Sequence, residues 1–290
     1  MNLVSYGSEN DILHSNPKKT FYKATYAKHT NFGIQKFRID FKKDRKLSFT
    51  NETIYDFKIP RHGDLLSDTF IVLTLPNIYS TLYYNTGTTS YDEFKFQWVR
   101  NLGVTMIKEV ELICNGFSLA KYSGEYMHCI SHRDFSKTKK NIFDNMTGHV
   151  KELYDPAKSH GLDGVYPNSY WLANNTNPEP SIRQRKLYIP LGAWFTKNKK
   201  FSLPLIALQY AEVEIKITFR PIRELYTLID VEDNAKPRIS PDPNNSLHQL
   251  RRFLRKPEQT DIGNNPSITT PDTWLSDLHL MANYIFLDEN

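Results

Sequence analysis

The chain has 290 residues, of which 39% are hydrophobic and 13% aromatic, so it is long and apolar enough to bury a sizeable core. This composition excludes a disordered chain, and no apolar run approaches the roughly 20 residues of a spanning helix, which excludes an integral membrane protein. The net charge of +5 is spread along the chain, so we expect no direct binding to nucleic acid.

Alternation of apolar and polar residues predicts a β-rich fold. In the clearest case, Val213, Ile215, Ile217 and Phe219 alternate with charged or polar side chains, which is the period of a strand with one face in water. In chain order, strands are predicted at residues 37–41, 71–75, 110–114, 187–189, 213–219 and 278–287. Short helices are predicted at residues 4–13, 98–107, 124–132 and 147–154. Since helices and strands do not alternate regularly, the sequence favours an antiparallel, all-β fold with short helical insertions.

Two segments, residues 174–180 and 231–271, are predicted to be exposed loops because they are rich in Pro, Asn and Asp and poor in apolar residues. The second is far longer than an ordinary connection and contains a basic cluster around Leu254. The cluster consists of Arg251, Arg252, Arg255 and Lys256. It has two interpretations: a docking patch for acidic partners, or one solvated turn of helix within the loop.

We expect no catalytic, cofactor-binding or metal-binding residues. The sequence contains no phosphate-binding loop, no dinucleotide-binding fingerprint, no nucleophile elbow and no metalloprotease motif. His128, Cys129 and His132 are the nearest approach to a metal or thiol site, but two imidazoles alone do not complete a zinc site and no Cys-x-x-Cys pair follows. With only two cysteines the fold must be held by its core, in which Trp98, Trp194 and Phe195 are predicted packing anchors.

Several short sequence blocks follow one another in order over nearly the whole chain. They are TFYK at 20–23, KHTNF at 28–32, IPRHGDL at 59–65, WV at 98–99, VEL at 110–112, YIPL at 188–191, WF at 194–195, LPLIALQY at 203–210 and YIFLD at 284–288. In this order the blocks resemble the major capsid proteins of nucleocytoplasmic large DNA viruses. The last block resembles the strand that closes the first of that family's two jelly rolls.

The resemblance implies a jelly-roll β-sandwich, in which two antiparallel sheets pack face to face, and a structural rather than enzymatic protein. We expect an N-terminal arm at residues 1–16 and one jelly-roll domain at residues 17–290, with the family's second jelly roll absent from this chain. Subunits of the family form trimeric, pseudo-hexagonal capsomers of a large icosahedral shell. The expected partners are therefore copies of the chain in a homotrimer, neighbouring capsomers, minor capsid proteins and the inner viral membrane.

Candidate assembly contacts are Tyr6 and Asn16 in the arm and the basic residues Arg251, Arg252 and Arg255. The arm resembles the family segment on the inner side of the capsid, and a frayed terminus is the equally weighted alternative. Its first residues lack the basic and apolar regions of a secretory signal. We therefore expect assembly in the host cytoplasm and a final location in the virion capsid.

Three other functions stay open on sequence grounds. A shortened minor capsid paralogue would show the same resemblance. A carbohydrate-binding β-sandwich would use exposed aromatic residues such as Tyr166, Tyr170 and Trp171 to stack on sugars. A β-sandwich hydrolase would need two convergent carboxylates, which the sequence does not reveal.

Overall fold

The computed structural model describes residues 31–41, 46–159, 161–172, 177–233, 237–261, 263, 265–266, 274 and 276–288. The N-terminal arm, with Tyr6 and Asn16, lies outside these residues, as does the helix predicted at residues 4–13.

Five strands form a first antiparallel sheet, called sheet A. Three of them are neighbours in the order β1 (Phe32–Ile39), β13 (His279–Leu287) and β3 (Leu65–Leu75). The other edge of β3 is shared by β9 (Arg185–Pro190) and β10 (Leu203–Pro204), which pair with its second and first parts. Four of the six predicted strands lie within or overlap strands of this sheet.

Four strands form the second antiparallel sheet, called sheet B, in the order β2 (Thr53–Lys58), β11 (Val213–Phe219), β7 (Ile107–Cys114) and β8 (Phe117–Ser123). The remaining two predicted strands lie here. In β11 the apolar residues Val213, Ile215, Ile217 and Phe219 are all buried, as their alternation predicted. The buried apolar residues of the two sheets belong to one continuous core.

The chain alternates between the sheets, which identifies the fold. It passes from β1 in sheet A to β2 in sheet B, back to β3, then to β7 and β8, and finally to β9, β11 and β13 in alternate sheets. This connectivity with two packed antiparallel sheets is that of a jelly roll, so the predicted fold class is confirmed. Two short pairs lie in the connections: β4 (Leu82–Asn85) with β5 (Ser90–Glu93), and β6 (Gln97–Trp98) with β12 (Tyr226–Thr227).

The described helices are short insertions between strands. They are α1 (Leu102–Thr105), α2 (Gly124–Asp134), α3 (Lys137–Thr147), α4 (Lys151–Tyr154) and α5 (Leu250–Leu254). The prediction at 124–132 is confirmed by α2, whose first turn is capped by the Ser123 hydroxyl accepting from the Tyr126 amide. The prediction at 98–107 holds only over α1, because Trp98 and Ile107 belong to strands. The prediction at 147–154 covers the last residue of α3 and the whole of α4. Helix α3 was missed because its sequence is largely polar.

The prediction that residues 231–271 form an exposed loop is wrong for several described residues of that segment, although others are exposed. Val231, Leu250 and Phe253 are buried in the core, and α5 positions the last two. A single helical turn is too short to show a hydrophobic period, so these residues looked like isolated apolar residues in a polar loop. Of the packing anchors, Phe195 is buried as predicted, whereas Trp194 is 40% exposed.

Candidate assembly surfaces

Three long connections meet at one end of the sandwich, at a surface that we call the crown. They run from β3 to β7, from β8 to β9 and from β11 to β13, and they meet because the end of β3 lies beside the starts of β9 and β13. Backbone hydrogen bonds join them: Tyr79 N donates to Phe253 O at 2.7 Å, and Ser169 N donates to Ser80 O at 3.0 Å. The crown is therefore a folded part of the domain.

A cluster of buried aromatic side chains holds the crown together. Its members are Phe94, Phe96, Trp98, Tyr226 and Phe253. Phe96 stacks on Tyr226 with 4.7 Å between ring centroids, and Phe253 meets Phe94 edge-on at 5.4 Å. Each such pair contributes about 0.5–1.5 kcal/mol beyond the burial of its area. Because Phe253 and Phe94 come from different connections, the cluster fixes these connections to each other.

The candidate contact residues of the basic cluster differ in burial. Arg252 is only 5% exposed, and its guanidinium lies over the Phe94 ring, with 5.1 Å between Cζ and the ring centroid. Burial lowers the pKa of Arg252. Arg251 is partly buried in α5. As contacts with other subunits these residues stay a prediction, but Arg252 is not the solvated side chain that its sequence context suggested.

Arg255, the third candidate contact in this cluster, is already neutralised within the chain. Its guanidinium pairs with Glu258 at 3.1 Å and with Asp261 at 3.3 Å. Lys256 donates through Nζ to Asn177 Oδ1 at 3.0 Å. The cluster is therefore much less basic at its surface than the sequence indicates.

A pocket of about 310 Å³, called the crown pocket, opens among the three connections. Its aromatic side chains are Tyr91, Tyr170 and Trp171, and Arg252, Arg255 and Lys256 also line it. Tyr170 and Trp171 were predicted from the sequence as exposed aromatic residues, whereas Tyr91, Glu258 and Asp261 were not predicted. No local pattern could have found them together, because the lining residues come from three distant parts of the chain.

Tyr166 does not belong to this aromatic wall. It was expected with Tyr170 and Trp171 as an exposed platform for sugars, but it is buried and its hydroxyl donates to the Phe96 carbonyl oxygen at 2.7 Å. Burial raises the pKa of its phenol. Through this hydrogen bond, Tyr166 connects the β8–β9 connection to Phe96 of the aromatic cluster.

The opposite end of sheet A carries exposed apolar side chains on its outer face. Phe32 is 61% exposed, Ile34 45% and Leu287 43%. Phe32 pairs with Leu287 and Ile34 with Ile285 across β1 and β13, so these side chains share one face. We call Phe32, Ile34 and Leu287 the base patch. Such a set on the outer face of a sheet, beside its edge, is typical of a surface covered by another protein.

A second apolar surface lies beside β9, where α2 and α3 border a groove of about 350 Å³. Met127, Ile130, Ile142, Phe143 and Met146 line it, and Ile142 is largely exposed. Two lysines also line the groove: Lys139 and Lys197.

The histidines of α2 contact each other rather than a set of further ligands. The rings of His128 and His132 meet edge-on at 4.4 Å, and Lys140 Nζ lies 2.9 Å from His132 Nε2. Burial and the neighbouring charges of His132 and Lys140 lower the pKa of His128. Within the described ranges, no three His, Cys, Asp or Glu side chains are grouped so as to hold a metal ion.

Among the residues that the structure describes, no helix is both long enough and apolar enough to cross a membrane.

Comparison with known proteins identifies the family. The profile described as "Major capsid protein N-terminus" matches residues 20–288, which is nearly the whole chain. The chain belongs to this capsid protein family. Among its relatives, capsid protein 1 of Acanthamoeba polyphaga mimivirus is 32% identical over 79% of this chain and 35% of the relative. The major capsid protein of Phaeocystis pouchetii virus is 31% identical over 88% of this chain and 47% of the relative.

Solved capsid structures share the fold. The Faustovirus major capsid protein matches with a TM-score of 0.54 and 11% identity, over 94% of this chain and 57% of that chain. The PBCV-1 virus capsid matches with a TM-score of 0.51 and 18% identity, over 93% of this chain and 46% of that chain.

The comparisons confirm three expectations for this capsid protein chain: the family, the jelly-roll fold and a structural rather than enzymatic class, since the matched relatives are named capsid proteins. The chain spans about a third to a half of the length of the curated relatives described above.

Proposed function

We propose that this jelly roll is one of the building blocks of a trimeric, pseudo-hexagonal capsomer, and that its function is assembly into a large icosahedral shell. The family and the fold support a capsid role. The base patch is the observation that carries the assembly step, because its apolar side chains are exposed in the part of the chain that the structure describes. Its occupant in this proposal is another jelly roll.

Covering the base patch supplies part of the free energy that an interface needs. Burying a Phe, Ile or Leu side chain completely is worth about 1.5–3 kcal/mol. Since Phe32 is 61% exposed, covering it contributes about 1–2 kcal/mol. Ile34 and Leu287 add about 1 kcal/mol each on the same scale. The patch therefore acts as an apolar anchor within a larger interface.

A second jelly roll, the proposed occupant, has two possible sources. The curated relatives are about two to three times as long as the matched region, which leaves room for another domain of this size. In the family that the sequence resembles, each subunit has two jelly rolls, so a trimer places six such domains around one ring. In the isolated chain, a second copy would take the neighbour's place, by heterologous contacts that close into a ring.

The remaining partners follow from the same proposal. The arm at residues 1–16, with Tyr6 and Asn16, would lie on the inner side of the shell and meet minor capsid proteins or the inner viral membrane. The basic residues Arg251, Arg252 and Arg255 would lie at the other end, in the crown. The protein would assemble in the host cytoplasm and reside in the virion capsid. A minor shell component is the alternative assignment within the same family.

The assembly proposal is tested by measuring the mass of the expressed chain by light scattering. The wild-type chain is compared with a Phe32→Ser/Ile34→Ser variant and with a Phe201→Ser control, which removes an exposed aromatic residue outside the base patch. We expect trimers or larger rings for the wild type and the control, and monomers for the double variant. Equal masses for all three proteins would refute the role of the base patch.

A further inference from the structure

The crown pocket combines exposed aromatic faces with polar groups. Tyr91 and Tyr170 are each about half exposed, and Trp171 and Leu172 continue the apolar wall. The volume of about 310 Å³ is at the small end of the range for ligand pockets, roughly 300–1,000 Å³. It therefore suits a single ring-sized group better than an extended chain.

Arg252 is the unusual member of this lining. Among the residues that the structure describes, none accepts a hydrogen bond from its buried Nε, and no carboxylate lies within ion-pair distance. It is nevertheless 95% buried; its guanidinium lies over the π surface of Phe94, and the Asp261 carboxylate acts on it electrostatically without forming an ion pair. Arginine is rarely buried without a partner, because the loss of hydration is not repaid. The protein thus keeps an unpaired cation at the wall of an open pocket.

The carboxylates around the pocket are already paired with one arginine. Arg255 is paired with Glu258 and Asp261, whereas Lys256 donates to the neutral amide of Asn177. Among the described residues of the lining, Arg252 and Lys256 therefore have no carboxylate partner, and Arg252 is the buried one of the two. A ligand with several negative charges would be repelled by the carboxylates of Glu258 and Asp261.

We propose that the crown pocket binds an acidic sugar, with its carboxylate on Arg252 and its ring against Tyr170. A carboxylate supplies the single charge that Arg252 lacks, and guanidinium and carboxylate match geometrically. The sugar hydroxyls can donate to the carboxylates of Glu258 and Asp261, which a nucleotide phosphate or an acidic peptide side chain would not do. The aromatic wall accepts the apolar face of a pyranose ring. This site is independent of the assembly proposal, since the crown is at the other end of the sandwich from the base patch.

The test uses the whole chain and three probes: methyl β-D-glucuronide, methyl β-D-glucoside and sodium acetate. Binding is followed by ligand-observed NMR titration at constant ionic strength. We expect the glucuronide to bind at least about tenfold more tightly than the glucoside, because a charge-assisted hydrogen bond is lost in the neutral sugar. We also expect it to bind more tightly than acetate, because acetate has no ring to stack. Absence of glucuronide binding, or binding of the glucoside or of acetate as tight as that of the glucuronide, would overturn the proposal.

Two variants assign the contacts. Arg252→Met keeps the length of the side chain without its charge, and should reduce glucuronide affinity to that of the glucoside. Tyr170→Ala changes a half-exposed residue and should weaken the binding of both sugars several-fold. Tyr126→Ala on α2 removes a similarly exposed tyrosine outside the pocket and should change neither. Unchanged glucuronide binding in Arg252→Met or Tyr170→Ala would refute the assigned contact.

Discussion

Replacing Phe253 by alanine should destabilise the domain strongly. Phe253 is completely buried in α5 and contacts the rings of Phe94 and Phe96 at centroid distances of 5.4 and 5.1 Å. Truncating a buried phenylalanine costs about 3–5 kcal/mol, because apolar contacts are lost and a cavity remains. A domain is stable by about 5–15 kcal/mol in total, so this single change removes a third or more of a typical value.

Urea unfolding followed by tryptophan fluorescence measures this effect, since Trp98 lies in the same aromatic cluster. With a denaturant dependence of about 3 kcal/mol per molar urea, the midpoint should fall by about 1–1.7 M. Phe201→Ala is the matched control, because Phe201 is largely exposed, and its midpoint should hardly move. A shift as small as that of the control would mean that α5 is not part of the core.

Three further predictions concern packing and titration. Gly103→Ala should lower the free energy of urea unfolding by about 1–3 kcal/mol, because an added Cβ would lie 2.7 Å from the Thr147 carbonyl oxygen. The control Gly33→Ala should be nearly neutral, because there is open space around Gly33. Burial raises the pKa of the Tyr166 phenol, so the unfolded chain loses this proton at a lower pH than the folded protein does, and stability should fall as pH rises above about 10. Tyr166→Phe should make that fall less steep. An unchanged slope of stability against pH would contradict the assignment of this effect to Tyr166. Burial lowers the pKa of His279, so its contribution to stability should be fully present above about pH 6.5 and be lost as pH falls through the lower pKa of the native state. In an acid titration followed by fluorescence, His279→Gln should remove part of that loss of stability.

Strands with one face in the core and the other in water could be predicted, because their apolar and polar residues alternate. In β11 the buried and partly exposed residues alternate along the whole strand, and the sequence shows the same alternation. Strand β2 carries such a signal in Tyr55 and Phe57, although it was not among the predicted strands. Strand β8 could not be predicted, because its residues are exposed or only partly buried and their apolar members follow no period.

The candidate surfaces were less predictable because distant segments create them. The burial of Arg252 depends on Phe94, which is far away along the chain. Likewise, the base patch depends on the pairing of Phe32 with Leu287 from opposite ends of the domain. A local pattern showed four basic residues in a polar segment, and only the fold shows which of them is buried and which are paired.

The oligomeric state of the chain tests the central claim most directly. Light scattering over a range of concentrations, with negative-stain images of the same samples, should give the mass of three chains or more and ring-shaped particles. The Phe32→Ser/Ile34→Ser variant should lose both while keeping its urea unfolding midpoint. A monomeric mass for the wild type at every concentration would contradict the claim that this jelly roll itself carries the contacts for capsomer assembly.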